Sequence, residues 1–195
     1  MLNQRESSFA QTTIDLVLRY GMARTTMGDV AKEAGVSRQT LYSVFPNKES
    51  LLRATIRYLA ERGAAAIIKE CAPSKSLDEK LDIVVRHTAL NSFELLRSSP
   101  DADDIVSGFN SACKEEIEEA SQGFQTIIEG LLTPYAQAIE DKGMSVVQLA
   151  NYIQKNTLML KHEAKDTKHL LEMAAVMKTL VLNIAAPQEA IKACL

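Results

Sequence analysis

The chain has 195 residues, 46% of them hydrophobic and 24% charged, which is ordinary globular composition and enough to bury a core without disulfides or metal. No apolar run of about 18 residues exists to span a bilayer. Met1–Gly21 lack the basic-then-apolar order of a secretory leader, so a cytoplasmic location is expected. Cys71, Cys113 and Cys194 are far apart and form no CxxC pair, so they support neither a disulfide framework nor a zinc cluster. The net charge of −3 is unevenly spread: residues 1–60 carry eight Lys/Arg against five Asp/Glu, and residues 61–195 carry fourteen against twenty. A basic head on an acidic body fits a polyanionic partner for the head alone.

Apolar spacing and capping residues read as helix along the whole chain, and strand-like alternation is absent, so the fold class is all-α. A first helix over about 4–20 puts Phe9, Thr13, Ile14, Val17 and Leu18 on one side, and Gly21 is expected to end it in the left-handed conformation. Thr26-x-x-Asp29 opens a short second helix to Ala34, with Met27, Val30, Ala31 and Ala34 on its apolar face. Gly35 breaks it. Ser37 caps a third helix running through Phe45, with Leu41, Val44 and Phe45 facing inward. Pro46-Asn47 is a turn, and Asn47 caps a fourth helix to about Cys71.

Two short helices joined at Gly35 make a helix-turn-helix. Ala31 is small enough for close crossing, Gly35 permits positive φ, and Val36 plugs the corner. With Leu41, Val44 and Phe45 turned inward, the outward set is Arg38, Gln39, Thr40 and Tyr42. Arg forks onto guanine and Gln onto adenine in a major groove. Thr40 and Tyr42 are donors for phosphate, Thr26 sits at a helix N-terminus, and Lys48 is a point charge for the nucleic-acid backbone.

Taken together, Thr25-Thr26, Met27, Asp29, Val30-Ala31, Ala34-Gly35-Val36-Ser37, Thr40-Leu41-Tyr42, Phe45, Lys48-Glu49 and Leu51 or Leu52 closely resemble the DNA-binding motif of the TetR family of bacterial regulators, over about residues 9–55. The resemblance implies an all-helical homodimer with a C-terminal small-molecule pocket and dimer interface. It places Thr26, Ser37, Arg38, Gln39, Thr40, Tyr42 and Lys48 where family members touch DNA. Gln39 departs from the Gly or Pro often found there, which either widens base readout or alters the approach of the helix. Thr13 and Val17 depart from the usual Ala and Phe of the first helix.

The rest of the chain is read from physical pattern alone. Loop Ala72–Lys75 precedes a capping box, Ser76-Leu77-Asp78-Glu79, and a helix to about Arg97; Ser98-Ser99-Pro100 ends it. Short and long helices over about 101–110 and 112–141 follow, with Gly123 and Gly130 as weak points and Pro134 as a kink. Ser145 opens a helix to about Glu163, and Asp166 caps a last one to about Ala185, stopped by Pro187. This last helix is apolar over more than one stripe, so one face suits its own domain and the other a partner chain. Leu158, Met173, Val176, Met177, Leu180 and Ile184 are the dimer-interface candidates. Ligand-pocket candidates are His87, Asn91, Phe93, Phe109, Phe124 and Tyr152, with Tyr135 and Met159 behind them.

His162, Glu163, Asp166 and His169 read as a solvated turn, and the run Lys114–Glu119 as a solvated helix face, so no metal is expected. No cofactor motif and no catalytic motif is present, so the chain is not expected to be an enzyme. The expected division is a helix-turn-helix domain over 1–50 and a helical ligand-binding and dimerisation domain over 51–195. The expected function is a sequence-specific transcriptional repressor, released from a palindromic operator in double-stranded DNA by a small-molecule effector.

Overall fold

The computed structural model describes residues 2–74, 76–97, 99 and 101–186, and among them every regular element is helical. The sequence expectations that rest on Lys75, Ser98, Pro100, Pro187 and Cys194 lie outside the described residues. The chain forms two compact units, one built from residues up to Gly63 together with Glu94–Ala120, the other from Ala64–Phe93 and from Ser121 onward.

The first unit opens with α1 (Gln4–Tyr20), started by a reciprocal cap in which the Asn3 side chain accepts from Glu6 N–H and the Glu6 carboxylate accepts from Asn3 N–H. Gly21 ends α1, but not in the expected left-handed conformation. Its φ of 85° comes with a ψ of 161°, a region open essentially to glycine alone. The short helices α2 (Met27–Glu33) and α3 (Arg38–Tyr42) follow, then the start of α4 (Lys48–Cys71). Gly35 supplies φ 68° at the corner between α2 and α3, as its position requires. Val36 N–H donates to the Ala31 carbonyl at 2.9 Å, drawing the corner onto α2.

Phe9, Leu16, Met27, Val30, Ala31, Leu41, Phe45, Leu51 and Ala54 form the core of this part, with Phe9 and Phe45 edge to face at 6.3 Å. A second cluster joins Val17, Met22 and Leu52 to Ile105 and Cys113, so α7 (Ala102–Ala112) packs with α1 and the loop after it. Polar contacts reinforce that packing. Arg24 pairs with Asp101, Ala23 N–H donates to Asp104 at 3.4 Å, and Gly108 lies against the Met22 side chain.

The second unit holds the end of α4, α5 (Leu77–Val85), a π-helical turn at Arg86–Leu90 and the first residues of α6 (Asn91–Arg97), whose remainder from Glu94 belongs to the first unit. Ser76 caps α5 through Glu79 N–H, but only half of the expected box forms, because the Glu79 carboxylate takes the Ser74 hydroxyl at 2.6 Å instead. α8 runs over Lys114–Leu132 through Gly123 and Gly130, and Pro134 sits in a 3-10 turn that separates it from α9 (Ala136–Glu140). α10 (Val146–Glu163) and α11 (Thr167–Ala185) carry the Ser145 and Asp166 caps read from sequence. The core gathers Leu81, Val84, Phe93, Ile128, Leu132, Ile139, Ile153, Leu160, Leu170, Met177 and Val181. Among the described residues, no helix is long and apolar enough to cross a membrane.

Candidate nucleic-acid interface

The outward surface of α2 and α3 follows from the inward one. Leu41 is fully buried and Phe45 nearly so, which turns Arg38, Gln39 and Tyr42 to solvent on a five-residue helix. Tyr42 is 48% exposed, a large aromatic left uncovered beside two long polar side chains. Such a surface suits a groove lined by base edges and phosphates.

The hydroxyls on this face are not equivalent. Thr26 Oγ1 donates to Asp29 Oδ2 at 2.6 Å and accepts from Asp29 N–H at 3.2 Å, so its proton is spent inside the α2 cap. The hydrogen bond from the Thr26 hydroxyl, then that from its N–H, holds the Asp29 carboxyl below the usual carboxylate range, with Lys32 and Arg38 adding their charge. Ser37 Oγ accepts from Thr40 N–H at 3.1 Å and donates to Thr40 Oγ1 at 2.9 Å. That leaves the Thr40 proton available, so Thr40 rather than Ser37 is the ready donor to a phosphate.

Lys48 departs most from its sequence-based role. Its Nζ donates to the Met22 carbonyl at 2.6 Å, tying the start of α4 to the loop after α1. Desolvation at this site pushes the amine below the usual lysine range, partly opposed by Asp104. An ammonium has three donors, so this bond leaves two for another acceptor.

The candidates in the rest of the chain scatter. His87 Nε2 lies 2.9 Å from Glu70 Oε1, and Asn91, itself exposed, sits beside the other ring nitrogen. Phe93 is buried and Phe124 partly buried in the core of the second unit. Tyr152, at 41% exposure, lies on the outside of α10 and lines no interior space. Phe109 packs with the Val17, Met22 and Ile105 cluster of the first unit, so the structure does not gather it with the others. His169 accepts from Lys165 N–H and its own N–H is capped by Asp166, so these residues close a turn.

On α11, Leu170, Ala174, Met177 and Val181 are buried in the chain's own core, so Met177 is spent there rather than offered to a partner. Met173, Val176, Leu180 and Ile184 recur at i, i+3, i+7 and i+11 on the neighbouring side, with Val176 64% and Leu180 48% exposed. Leu158, on α10, is half-buried.

Sequence reasoning missed Gln154. It is 1% exposed on α10, its Nε2 reaches Ser121 Oγ at 3.4 Å, and its Oε1 has no partner. Two turns on, at i+7, burial pushes the Lys161 amine below the usual lysine range, and no described residue pairs with it. The available signal was a polar residue between Ile153 and Thr157 on the core side of an amphipathic helix.

A capped five-residue helix with an uncovered Arg, Gln and Tyr, set on a tight three-helix core, defines a helix-turn-helix. Residues 11–55 match the bacterial regulatory proteins of the tetR family. Over that segment the chain is similar to the DNA-binding transcriptional regulators of the tetR family. Two Bacillus subtilis relatives are similar: the fatty acid metabolism regulator protein, 23% identical over 80% of this chain and 82% of its own length, and the uncharacterized HTH-type transcriptional regulator YuxN, 24% identical over 71% of this chain. The match spans 48% of the length of YuxN, about half of that relative. A TetR transcription regulator from Haloarcula marismortui shares the fold, with a TM-score of 0.69, 15% identity and coverage of 91% of this chain and 96% of its own.

Proposed function

We propose that this chain is a cytoplasmic repressor that binds a palindromic operator as a homodimer and leaves it when a small-molecule effector binds the helical unit. The observation that carries the DNA half is the uncovered Arg38, Gln39 and Tyr42 on α3, with Thr40 holding a free hydroxyl proton beside them. Arg38 and Gln39 read base edges, Thr40 and Tyr42 engage phosphate, and Ser37 and Thr26 act as caps that fix the two short helices. The exposed Val176 and Leu180 stripe supports a partner chain on α11, since large apolar side chains at this exposure gain by pairing. The unpaired Oε1 of the buried Gln154 supports an effector site on the inner side of α10, because buried polar groups are usually satisfied.

Effector release follows from differential affinity: a ligand favouring a conformer whose recognition helices misfit successive major grooves removes the dimer from DNA. The name of the fatty acid metabolism relative makes fatty acids the first panel to screen. The test is an electrophoretic shift on a selected operator with the Arg38→Ala, Tyr42→Ala double variant, folding being checked by circular dichroism. Loss of the specific shift with sequence-independent binding retained is the expected result. An unchanged specific shift refutes the residue assignment.

A further inference from the structure

Gly28 stands inside α2, where glycine weakens a helix relative to alanine. No backbone requirement accounts for it, because the positive-φ glycines among the described residues are Gly21, Gly35 and Gly143. Space does account for it. A Cβ on Gly28 would lie 2.7 Å from Nη2 of Arg38 and 3.0 Å from its Cζ and Nε, so the guanidinium rests on the bare backbone of α2. The 2.7 Å approach is closer than a Cβ keeps to a non-bonded atom, so a side chain at this position would move the guanidinium, the free end of a flexible side chain, off its seat. Arg38 is the first residue of α3 and is exposed. Its resting place adjoins Asp29, whose carboxylate is already engaged by Thr26 and feels the Arg38 charge without a bonded pair. None of the N–H groups of Arg38 is used in a hydrogen bond to a described residue. The side chain is therefore positioned while its donor fork stays free, which suits bidentate reading of a guanine edge.

We propose that Gly28 is a specificity-determining position of this regulator, acting through Arg38: the missing side chain gives the guanidinium a seat on α2 from which it reads one guanine of the operator. Gly28 is a positioning residue and touches no base itself. A long side chain loses rotamer freedom when it docks, and a seat occupied before docking reduces that loss. The inference rests on reading α3 as the element that enters the major groove.

The experiment is selection of bound duplexes from random DNA, followed by titration of single-base variants of the selected site. It compares the wild type, Gly28→Ala, Arg38→Ala, Arg38→Lys and the Gly28→Ala, Arg38→Ala double variant. Arg38→Ala is expected to abolish preference at one G·C pair of each half-site, a loss of roughly 5–150-fold in discrimination for a bidentate contact. Arg38→Lys keeps the charge but loses the flat fork, so it loses the same preference while retaining most of its binding to random duplex. Gly28→Ala is expected to lower discrimination at that same pair by about tenfold, with binding to random duplex and the melting temperature held or raised, since alanine favours the helix. Added to Arg38→Ala, Gly28→Ala changes nothing further. Full discrimination in Gly28→Ala overturns the proposal, and so does an equal loss whether or not Arg38 is present. Unchanged discrimination at every base pair in Arg38→Ala fails the underlying reading of Arg38 as a base contact, a result distinct from failure of Gly28→Ala alone.

Discussion

Replacing Gln154 with methionine is expected to stabilise the protein. Gln154 is 1% exposed, and its Oε1 has no hydrogen-bond partner. A buried acceptor left unmade costs about 1–3 kcal/mol. On the other side stands one bond, Nε2 to Ser121 Oγ, which at 3.4 Å is long and worth no more than the lower end of about 0.5–1.5 kcal/mol. Methionine has the same unbranched length and no acceptor to desolvate, and volume-conserving exchanges strain a core least. The net gain is about 1–2 kcal/mol, or about 2–8 °C in melting temperature for a chain of this size. Thermal melts by circular dichroism and urea titration of the effector-free protein both report it. Operator binding stays at the wild-type level while the response to effector weakens, as expected of a polar group kept at the expense of stability. Destabilisation by more than about 1 kcal/mol would mean instead that the oxygen has a partner in the folded protein.

Three further outcomes follow from the geometry. Gly21→Ala places a Cβ 2.8 Å from Asp101 Oδ2 in a backbone region closed to alanine, so it is expected to lose about 1–3 kcal/mol in urea denaturation, and wild-type stability would contradict the strain. Lys48→Met removes the donor to the Met22 carbonyl and is expected to destabilise by about 1–3 kcal/mol. Because the folded-state amine titrates below its unfolded value, the unfolded chain binds more protons in that window. The Lys48 contribution therefore rises with pH up to about 10.4, and the melting gap between wild type and variant widens from neutral to alkaline pH. Leu180→Asp puts a carboxylate in the apolar stripe of α11 and is expected to weaken self-association on the order of 100-fold in analytical ultracentrifugation; an unchanged dimer places the interface elsewhere.

The helices and most of their caps were legible because they depend on neighbours three or four residues away. Thr26 with Asp29, Ser37 with Thr40, Ser145 with Gln148 and Asp166 with His169 all pair as their spacing requires. The corner at Gly35 was legible for the same reason. The π-turn at Arg86–Leu90 carried no local signal, since its extra residue is inserted without a proline or glycine. Tertiary partners were also illegible. Lys48 reaches back 26 residues to Met22, and Arg24 pairs with Asp101, 77 residues on. Phe109 sits in an apolar helix segment like many others, and only packing with Val17 and Ile105 assigns it to the first unit. On the outward face of α2 and α3, periodicity identified the exposed side chains but not the states of their donors, which separate Thr40 from Ser37 and Thr26.

Operator reading by a dimer through α3 is tested first by selection of wild-type-bound duplexes from random DNA at a fixed, moderate salt concentration. The expected result is enrichment of one palindrome whose half-sites lie about 34–36 Å apart, or a multiple of that, with a G·C pair in each half-site that depends on Arg38. Recovery of only salt-sensitive binding without sequence preference would contradict it, since phosphate contacts alone would then account for all of the affinity.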